Sequence, residues 1–416
     1  MGCGMMRKMS IGFKVFLPVL VGFLASFVFA RTDVTLLVGS DLHYTEYDSN
    51  SVSCRLAIQW MNALPGKSYP AAVGGGVIDT PDAVVLCGDL TNDATQPQWD
   101  RWAADWGING ERLIKYPVFE GFGNHDGGPA SFVREAIKAR NPARRWLAGV
   151  SANGLHYSWD IDGVHFVQTN LYTGNDGDPA NFNNTWNKPE KSLDFLISDL
   201  QQNVGTTGKP VVIFQHYGWD DFSINAWGNG GWWSAAERTA FYNAVSTYNV
   251  IGVFWGHSHA AAFQKWNNTI DVYNDRSLNI GPTAPGECLV VHITDSAMVI
   301  GHRLSNSWGI TQRKTIRMPV VAVADAGKKS LPHNAGSITI CSAGGIHTFA
   351  LTNCAGTVAI VIMTLRGEKI HLIPVADNHA RWDGTTLSGH RAAPGAYIAL
   401  TKGGTVSMQG KFTIGY

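Results

Sequence analysis

Residues 83–92 read Ala-Val-Val-Leu-Cys-Gly-Asp-Leu-Thr-Asn. An apolar run passes straight into Gly-Asp, with no alternation of polar residues. A short, unbroken apolar run bounded by a turn signal suits a strand buried on both faces. The design recurs along the chain. Val34-Thr35-Leu36-Leu37-Val38 leads to Ser40-Asp41, and Pro117-Val118-Phe119 leads to Gly123-Asn124. Val211-Val212-Ile213-Phe214 ends at Gln215-His216, and Val250-Ile251-Gly252-Val253-Phe254 ends at Gly256-His257. Amphipathic stretches at Ser131 to Arg140, Ser192 to Gln202 and Ala235 to Tyr248 read as helices between them. Alternating strands and helices imply an α/β layered core. His156 to Thr169 reads as a hairpin turning at Asp162-Gly163.

Polar clusters fall at or just past the strand ends. They are Asp41-Leu42-His43, Gly88-Asp89-Leu90-Thr91-Asn92, Gly123-Asn124-His125-Asp126, His216, and Gly256-His257-Ser258-His259. Ligands of open α/β sheets bind at the carboxyl ends of strands. If the five clusters arrive at one edge, they pool Asp41, His43, Asp89, Asn124, His216, His257 and His259 as metal ligands. Alternating residues on an extended segment put both side chains of Asp41/His43 and of His257/His259 on one side. The glycines before Asp89, Asn124 and His257 permit sharp turns. Mixed nitrogen and oxygen donors suit first-row divalent or trivalent metals rather than calcium. Seven ligands exceed one tetrahedral site. They suit two ions about 3.5–4 Å apart, which can lower the pKa of a bound water from about 15.7 towards 7.

In this order, D-x-H, G-D-x-x-[DN], G-N-H-[DE], a lone His and G-H-x-H resemble the calcineurin-like metallophosphoesterase superfamily, over residues 31–318. The resemblance implies a layered metallophosphoesterase β-sandwich flanked by helices. It implies one metal on Asp41, His43, Asp89 and His259, and a second on Asp89, Asn124, His216 and His257, with Asp89 bridging. The ions would be Fe, Mn or Zn. His125 would face the substrate and protonate the leaving oxygen, Asp126 would orient His125, and the nucleophile would be a metal-bridging hydroxide. Ser-Asp-Leu-His, Gly-Asp-Leu-Thr and Gly-Asn-His-Asp look most like the cyclic-nucleotide and glycerophosphodiester phosphodiesterase branch. The implied substrate is a phosphate ester, a small molecule or lipid-derived. Asn92 either reaches the substrate phosphate or caps the next helix. Tyr217 to Trp233, with Trp219, Trp227, Trp232 and Trp233, is either a pocket rim in which Trp219 meets substrate or a loop over the domain's own core. His156, His165, His292 and His302 lie outside the blocks and read as structural.

The remaining chain sets the context. Its 416 residues suggest two to three domains. Lys plus Arg and Asp plus Glu are both 32, so net charge gives no reason to expect nucleic acid or an anionic membrane as partner. A hydrophobic content of 45% excludes wholesale disorder. Charged residues are only 15%, with 46 Gly and 15 Trp, which leans towards a loop-rich extracytoplasmic protein. Arg7, Lys8 and Lys14, the uncharged run Val15 to Ala30, and Val28-Phe29-Ala30 read as a secretory signal peptide over 1–30. Removing it leaves Cys54, Cys87, Cys288, Cys341 and Cys354, an odd set in which Cys341 and Cys354 are close enough in sequence to pair. Pro319 onward reads as a linker, 319–334.

Short β-rich runs punctuated by Gly, Asn and Pro fill 335–416 and read as a small all-β, immunoglobulin-like sandwich. Arg381-Trp382-Asp383-Gly384, Pro394-Gly395-Ala396-Tyr397 and Gly410-Lys411-Phe412 resemble the sorting domains of type IX secretion cargo. That resemblance implies secretion machinery as a partner and a secreted or cell-surface location. The expected protein is therefore a secreted dinuclear phosphoesterase acting on phosphodiesters. The alternatives are a phosphomonoesterase with the same site, or a surface binding protein with structural metals.

Overall fold

The computed structural model describes residues 32–175, 187–225, 231–318, 337–343, 346–352, 357–364, 369–386, 389–393, 395–403 and 409–414. The expected signal peptide and linker, together with Trp227 and Cys354, lie outside the described residues. Strands β1 (Asp33–Gly39), β2 (Ala83–Leu86) and β3 (Val118–Glu120) run parallel to one another. After β4 (Leu147–Val150) and β5 (Tyr157–Ile161), strands β6 (Val164–Asn170), β7 (Val211–Gln215) and β8 (Val250–Trp255) form a second parallel set. Strands β9 (Ala262–Trp266), β10 (Ile270–Asn274), β11 (Cys288–Thr294), β12 (Ala297–Leu304) and β13 (Ser307–Thr315) complete the two sheets. Their orders are β13-β12-β11-β1-β2-β3 and β4-β5-β6-β7-β8-β10-β9. The hairpin expected at Asp162-Gly163 joins β5 to β6, with φ of 43° and 83° at the two turn residues. Positive φ at both positions is what a two-residue turn between right-twisted strands requires.

Helices α1 (Val52–Asn62), α2 (Gln96–Trp106), α3 (Phe132–Ala139), α4 (Ser192–Asp199), α5 (Asp221–Asn225) and α6 (Ala235–Val245) connect the strands. Ser131 and Ser234 start α3 and α6 by accepting the N–H groups of Arg134 and Glu237. Alternate strand residues enter different cores. Val34, Leu36, Val38, Val85, Phe166, Phe214 and Phe254 pack between the sheets. Leu37, Val84, Val167, Ile213 and Val253 point the other way, against Ala57, Trp102, Ile137, Leu196 and Phe241 of the helices. Burial on both faces explains the unbroken apolar runs. The result is a mixed α/β fold of two packed sheets with helices outside.

The C-terminal part contains β14 (Ser337–Ala343), β15 (Ile346–Thr352), β16 (Thr357–Thr364), β17 (Lys369–Pro374), β18 (His379–Trp382), β19 (Gly395–Gly403) and β20 (Gln409–Ile414). They make two antiparallel sheets, β14-β15-β18 and β17-β16-β19-β20. Phe349 and Trp382 of the first share a buried cluster with Ile360 and Tyr397 of the second. The Trp382 indole donates to Thr385 O at 2.6 Å, and the Tyr397 hydroxyl donates to Ala393 O at 2.6 Å. These two motif residues are core anchors whose polar tips are satisfied locally.

His165 illustrates a structural histidine. Its Nδ1 lies 2.7 Å from Asp160 Oδ1 and its Nε2 2.7 Å from Asp199 Oδ2. Burial opposes the charged ring, but the two carboxylates outweigh it and raise the pKa above the ordinary value. A raised value means that the folded state binds the extra proton. The stabilisation is therefore complete below about pH 6.5 and is lost as pH climbs through the folded pKa. His165→Gln should lower stability by about 1–3 kcal/mol more at pH 6 than at pH 9, read as variant-minus-wild-type differences in urea melts.

Candidate metal centre

The strand-end clusters meet at the carboxyl ends of β1, β2, β3, β7 and β8. The loops after β1 and β2 run side by side. Asp41 N donates to Gly88 O, Leu42 N and His43 N donate to Asp89 O, and Tyr44 N donates to Leu90 O, at 2.8–3.1 Å. The ligand atoms of Asp41, His43 and His259 lie within 4.8 Å of one another, as do those of Asp89, His216 and His257, and those of His43, Asp89 and His125. Asp89 stands between the first two groups. Its Oδ2 is 3.7 Å from His43 Nε2 and 3.2 Å from His216 Nε2, while its Oδ1 accepts the His125 N–H at 2.9 Å. His43 Nε2 and His259 Nε2 face each other at 3.2 Å, and His259 Nε2 lies 3.3 Å from Asp41 Oδ1. Asn124 Oδ1 joins the other group, 3.0 Å from His216 Nε2.

The local backbone differs from the extended segments expected of the D-x-H and H-x-H pairs. Asp41, His43, Asp89, His257 and His259 have φ of 54°, 44°, 52°, 72° and 51°. Their side chains converge because each sits in the left-handed region, at a cost of about 1–3 kcal/mol apiece. The expectation about glycines also needs correction. Gly88 does make a left-handed turn, at φ 101°. Gly123 has φ −112° and is needed for space: a Cβ there would lie 2.2 Å from Asp89 Oδ1. Gly256 likewise approaches Ser40, whose Cβ would be 2.5 Å from an added methyl.

The electrostatics favour cations. Burial penalises the charged His216, but the Asp89 carboxylate prevails and raises its pKa to about 9. The reciprocal effect holds Asp89 far below the usual carboxylate range despite burial. Burial and the neighbouring His216 push His257 down to about 3, so one of its ring nitrogens keeps a lone pair at neutral pH. His257 Nε2 is buried without a hydrogen-bond partner. His216 Nδ1 donates to Cys87 O at 2.8 Å, which leaves Nε2 facing Asp89 and Asn124; the proton Nε2 shares with those oxygens is the one a bound cation would displace. Imidazole nitrogens, carboxylate oxygens and a carboxamide oxygen thus converge, with protons on His216 held where a cation would take their place. This donor set fits two mixed N/O metal sites sharing Asp89.

Several sequence expectations are placed differently. Asp126 does not address the His125 ring. Its buried carboxylate accepts from Leu90 N, Thr91 N, Thr91 Oγ1 and Gly123 N at 2.8–3.1 Å, lacing the second and third loops together. The group beside the His125 ring is Asn92 O, 2.8 Å from Nδ1. Asn92 is not the helix cap, because α2 begins after Thr95, and its amide donates to Asp93 at 2.9 Å. Trp219 is half-buried and packs against Trp233, Trp255 and Trp266, with ring centres 4.9–6.5 Å away, so the contacts it makes are with the aromatic core.

Other residues escaped the motifs. Ser40 Oγ lies 2.5 Å from Asp41 Oδ2 and 2.7 Å from Asp275 Oδ1, so Ser40 and Asp275 hold the first ligand. Asn274 steadies the G-H-x-H loop through Ser258 Oγ and Ala260 O, at 2.8 and 3.0 Å. The signal was available in Ile270-Asp271-Val272-Tyr273-Asn274-Asp275, another strand ending in polar residues. Phe222, six residues after His216, stacks on the His257 ring.

A family model described as calcineurin-like phosphoesterase matches residues 34–261, more than half of the chain. Among curated proteins, the chain is 29% identical over 225 residues to "Purple acid phosphatase 22" of Arabidopsis thaliana; the match covers 51% of this chain and 43% of that protein's length. Among solved structures, a dimetal phosphatase from Danio rerio is 14% identical with a TM-score of 0.45, covering 68% of this chain and 99% of that one.

Two substitutions check the geometry. Asp126→Ala should cost about 2–4 kcal/mol in urea melts, through the lost loop lacing. Gly123→Ala should weaken metal retention at least about 10-fold in chelator competition, because the new methyl displaces the Asp89 carboxylate.

Proposed function

This chain belongs to the calcineurin-like phosphoesterase family, and on that premise we propose that it is a metal-dependent phosphoester hydrolase working with two bound ions. The supporting observation is the pair of donor groups, Asp41/His43/His259 and Asp89/His216/His257, drawn together around the shared Asp89. Asp41, His43, His259 and Asp89 would hold one ion, and Asp89, Asn124, His216 and His257 the other. Ions there would supply Lewis acidity to phosphoryl oxygens and lower the pKa of water.

The chain's own groups do the rest. His43 and His125 meet edge to face with ring centres 4.6 Å apart, which places His125 beside the donor groups. Its Nδ1 donates to Asn92 O, which leaves Nε2 as the nitrogen that can hold and give a proton. In this role Nε2 gives that proton to the leaving alkoxide, a contribution of about 10²–10⁴-fold. Asp89 Oδ1 fixes the His125 backbone, tying the proton donor to the ligand set.

The finer reading is a secreted or cell-surface enzyme that prefers phosphodiesters. Its support is the N-terminal signal-like segment, the sorting-like motifs of the C-terminal sandwich and the Gly-Asp-Leu-Thr and Gly-Asn-His-Asp forms of the motifs. A phosphomonoester preference is the second reading, favoured by the likeness to a plant protein named a phosphatase.

The test is hydrolysis of bis(p-nitrophenyl) phosphate and p-nitrophenyl phosphate with manganese, alongside elemental analysis. The diester should turn over faster. Asp89→Ala should lose both metal and turnover, whereas His125→Ala should keep its metal and lose about 10²–10⁴-fold in kcat. Full activity in metal-free Asp89→Ala protein would refute the proposal.

A further inference from the structure

A separate group of donors lies at the other edge of the first sheet. β1 rises about 3.3 Å per residue, so Asp33 at its start is about 20 Å from Gly39, after which the first ligand loop begins. Beside Asp33 stand His292 of β11, a strand whose register pairs it with Thr35, and Asp79, which follows Ile78 at the close of a loop. Ile78 holds that loop shut: its N–H donates to Lys67 O and its carbonyl accepts the Gly66 N–H, at 2.8 and 2.9 Å. The ligand atoms of Asp33, Asp79 and His292 all lie within 4.8 Å of one another, and His292 Nε2 is 2.7 Å from Asp33 Oδ1.

Two carboxylates this close repel each other unless a cation stands between them. Among the described residues neither forms an ion pair with a lysine or arginine. The Tyr69 ring stacks on His292, with centres 5.9 Å apart and planes at 10°, and Trp308 stacks on Tyr69 at 5.9 Å. Tyr69 is 6% exposed, and its hydroxyl is buried without a hydrogen-bond partner. Burial, then the charges of Asp79 and Asp33, push that hydroxyl above its ordinary pKa, so it lies in the field of both carboxylates. Thr35 pulls the other way, yet its Oγ1 is also left without a partner, so the two hydroxyls do not satisfy each other. A buried orphan hydroxyl costs free energy that a water on a neighbouring ion would recover. The side chains of His292 and Asp33 are 20% and 41% exposed, so an ion can reach them.

We propose that Asp33, Asp79 and His292 form a further metal site, separate from the strand-end centre, for a divalent first-row cation of the zinc class. Two carboxylates and one imidazole are a mixed donor set that suits zinc with water in the remaining position, and not calcium. Their two negative charges match a divalent ion. The ligands come from the start of β1, the loop closed by Ile78, and β11, so the ion cross-links three segments distant in sequence. Its role is structural, because no proton donor comparable to His125 stands among these ligands.

The test counts zinc. The full chain, as wild type, Asp79→Asn and His292→Gln, is equilibrated with the same buffered free zinc, and bound zinc per chain is read by elemental analysis. Each variant should hold one ion fewer than wild type, because loss of one of three ligands weakens zinc at least about tenfold. Asp79 is exposed, so Asp79→Asn keeps the fold even if His292→Gln does not. Turnover of bis(p-nitrophenyl) phosphate by Asp79→Asn should equal that of wild type, which shows the strand-end centre intact. An Asp79→Asn count equal to wild type, or a loss of more than one ion, would overturn the assignment. The comparison is a difference between chains, so it does not rest on the phosphoester reading. A wild type without turnover sinks the enzyme reading alone, and equal zinc counts in an active enzyme sink this site alone.

Discussion

Removing a carboxylate from water carries a penalty of several kcal/mol unless partners replace the lost hydration. Asp89 is 1% exposed, and the polar edge of both sheets is organised around meeting that penalty. One oxygen takes the backbone N–H of His125, and the other faces His43 and His216. The same residue's carbonyl receives the N–H groups of Leu42 and His43. A single residue thus joins the loops after β1, β2, β3 and β7. The two donor groups are adjacent because they share it.

That convergence carries strain. Five of the candidate ligands are non-glycine residues at positive φ. Such backbones persist only where surrounding contacts over-determine them. The contacts are present: Asp126 laces two loops, Ser40 and the His257 N–H hold Asp41, and Asn274 holds the last loop. Gly123 lets the third loop press against Asp89, where any side chain would intrude. Rigid strands buried on both faces supply the frame. The loops, relieved of core packing, can serve the site.

The two flanks divide the chemistry. His125, held at Nδ1 by Asn92 O, is placed to exchange a proton, while His257 is wrapped in aromatic rings that also push its pKa down by burial. A ligand imidazole kept neutral is a better donor to a cation. The C-terminal sandwich answers to different constraints. Its Trp382 and Tyr397 fill a core of their own, with polar tips satisfied on nearby carbonyls. Those motif residues are needed for folding that module whatever else it does.

The amino-acid order by itself determined the layered fold and the candidate donor residues. Unbroken apolar runs announce strands buried on both faces, and polar residues just past a strand end have no core to enter. Local pattern could not reveal how those residues are aimed. Asp41 and His43 look like alternating strand residues, and only the observed left-handed backbone explains their convergence. Asp126 looked like a partner for the adjacent His125, but the fold brings it to Leu90 and Thr91, 36 and 35 positions earlier. Asp275 reaches Ser40 across 235 residues, and Trp219 and Phe222, three residues apart, meet different rings, Trp266 and His257. Contacts between distant segments are set by how the sheets pack, and that packing is a property of the whole chain, which no single stretch encodes.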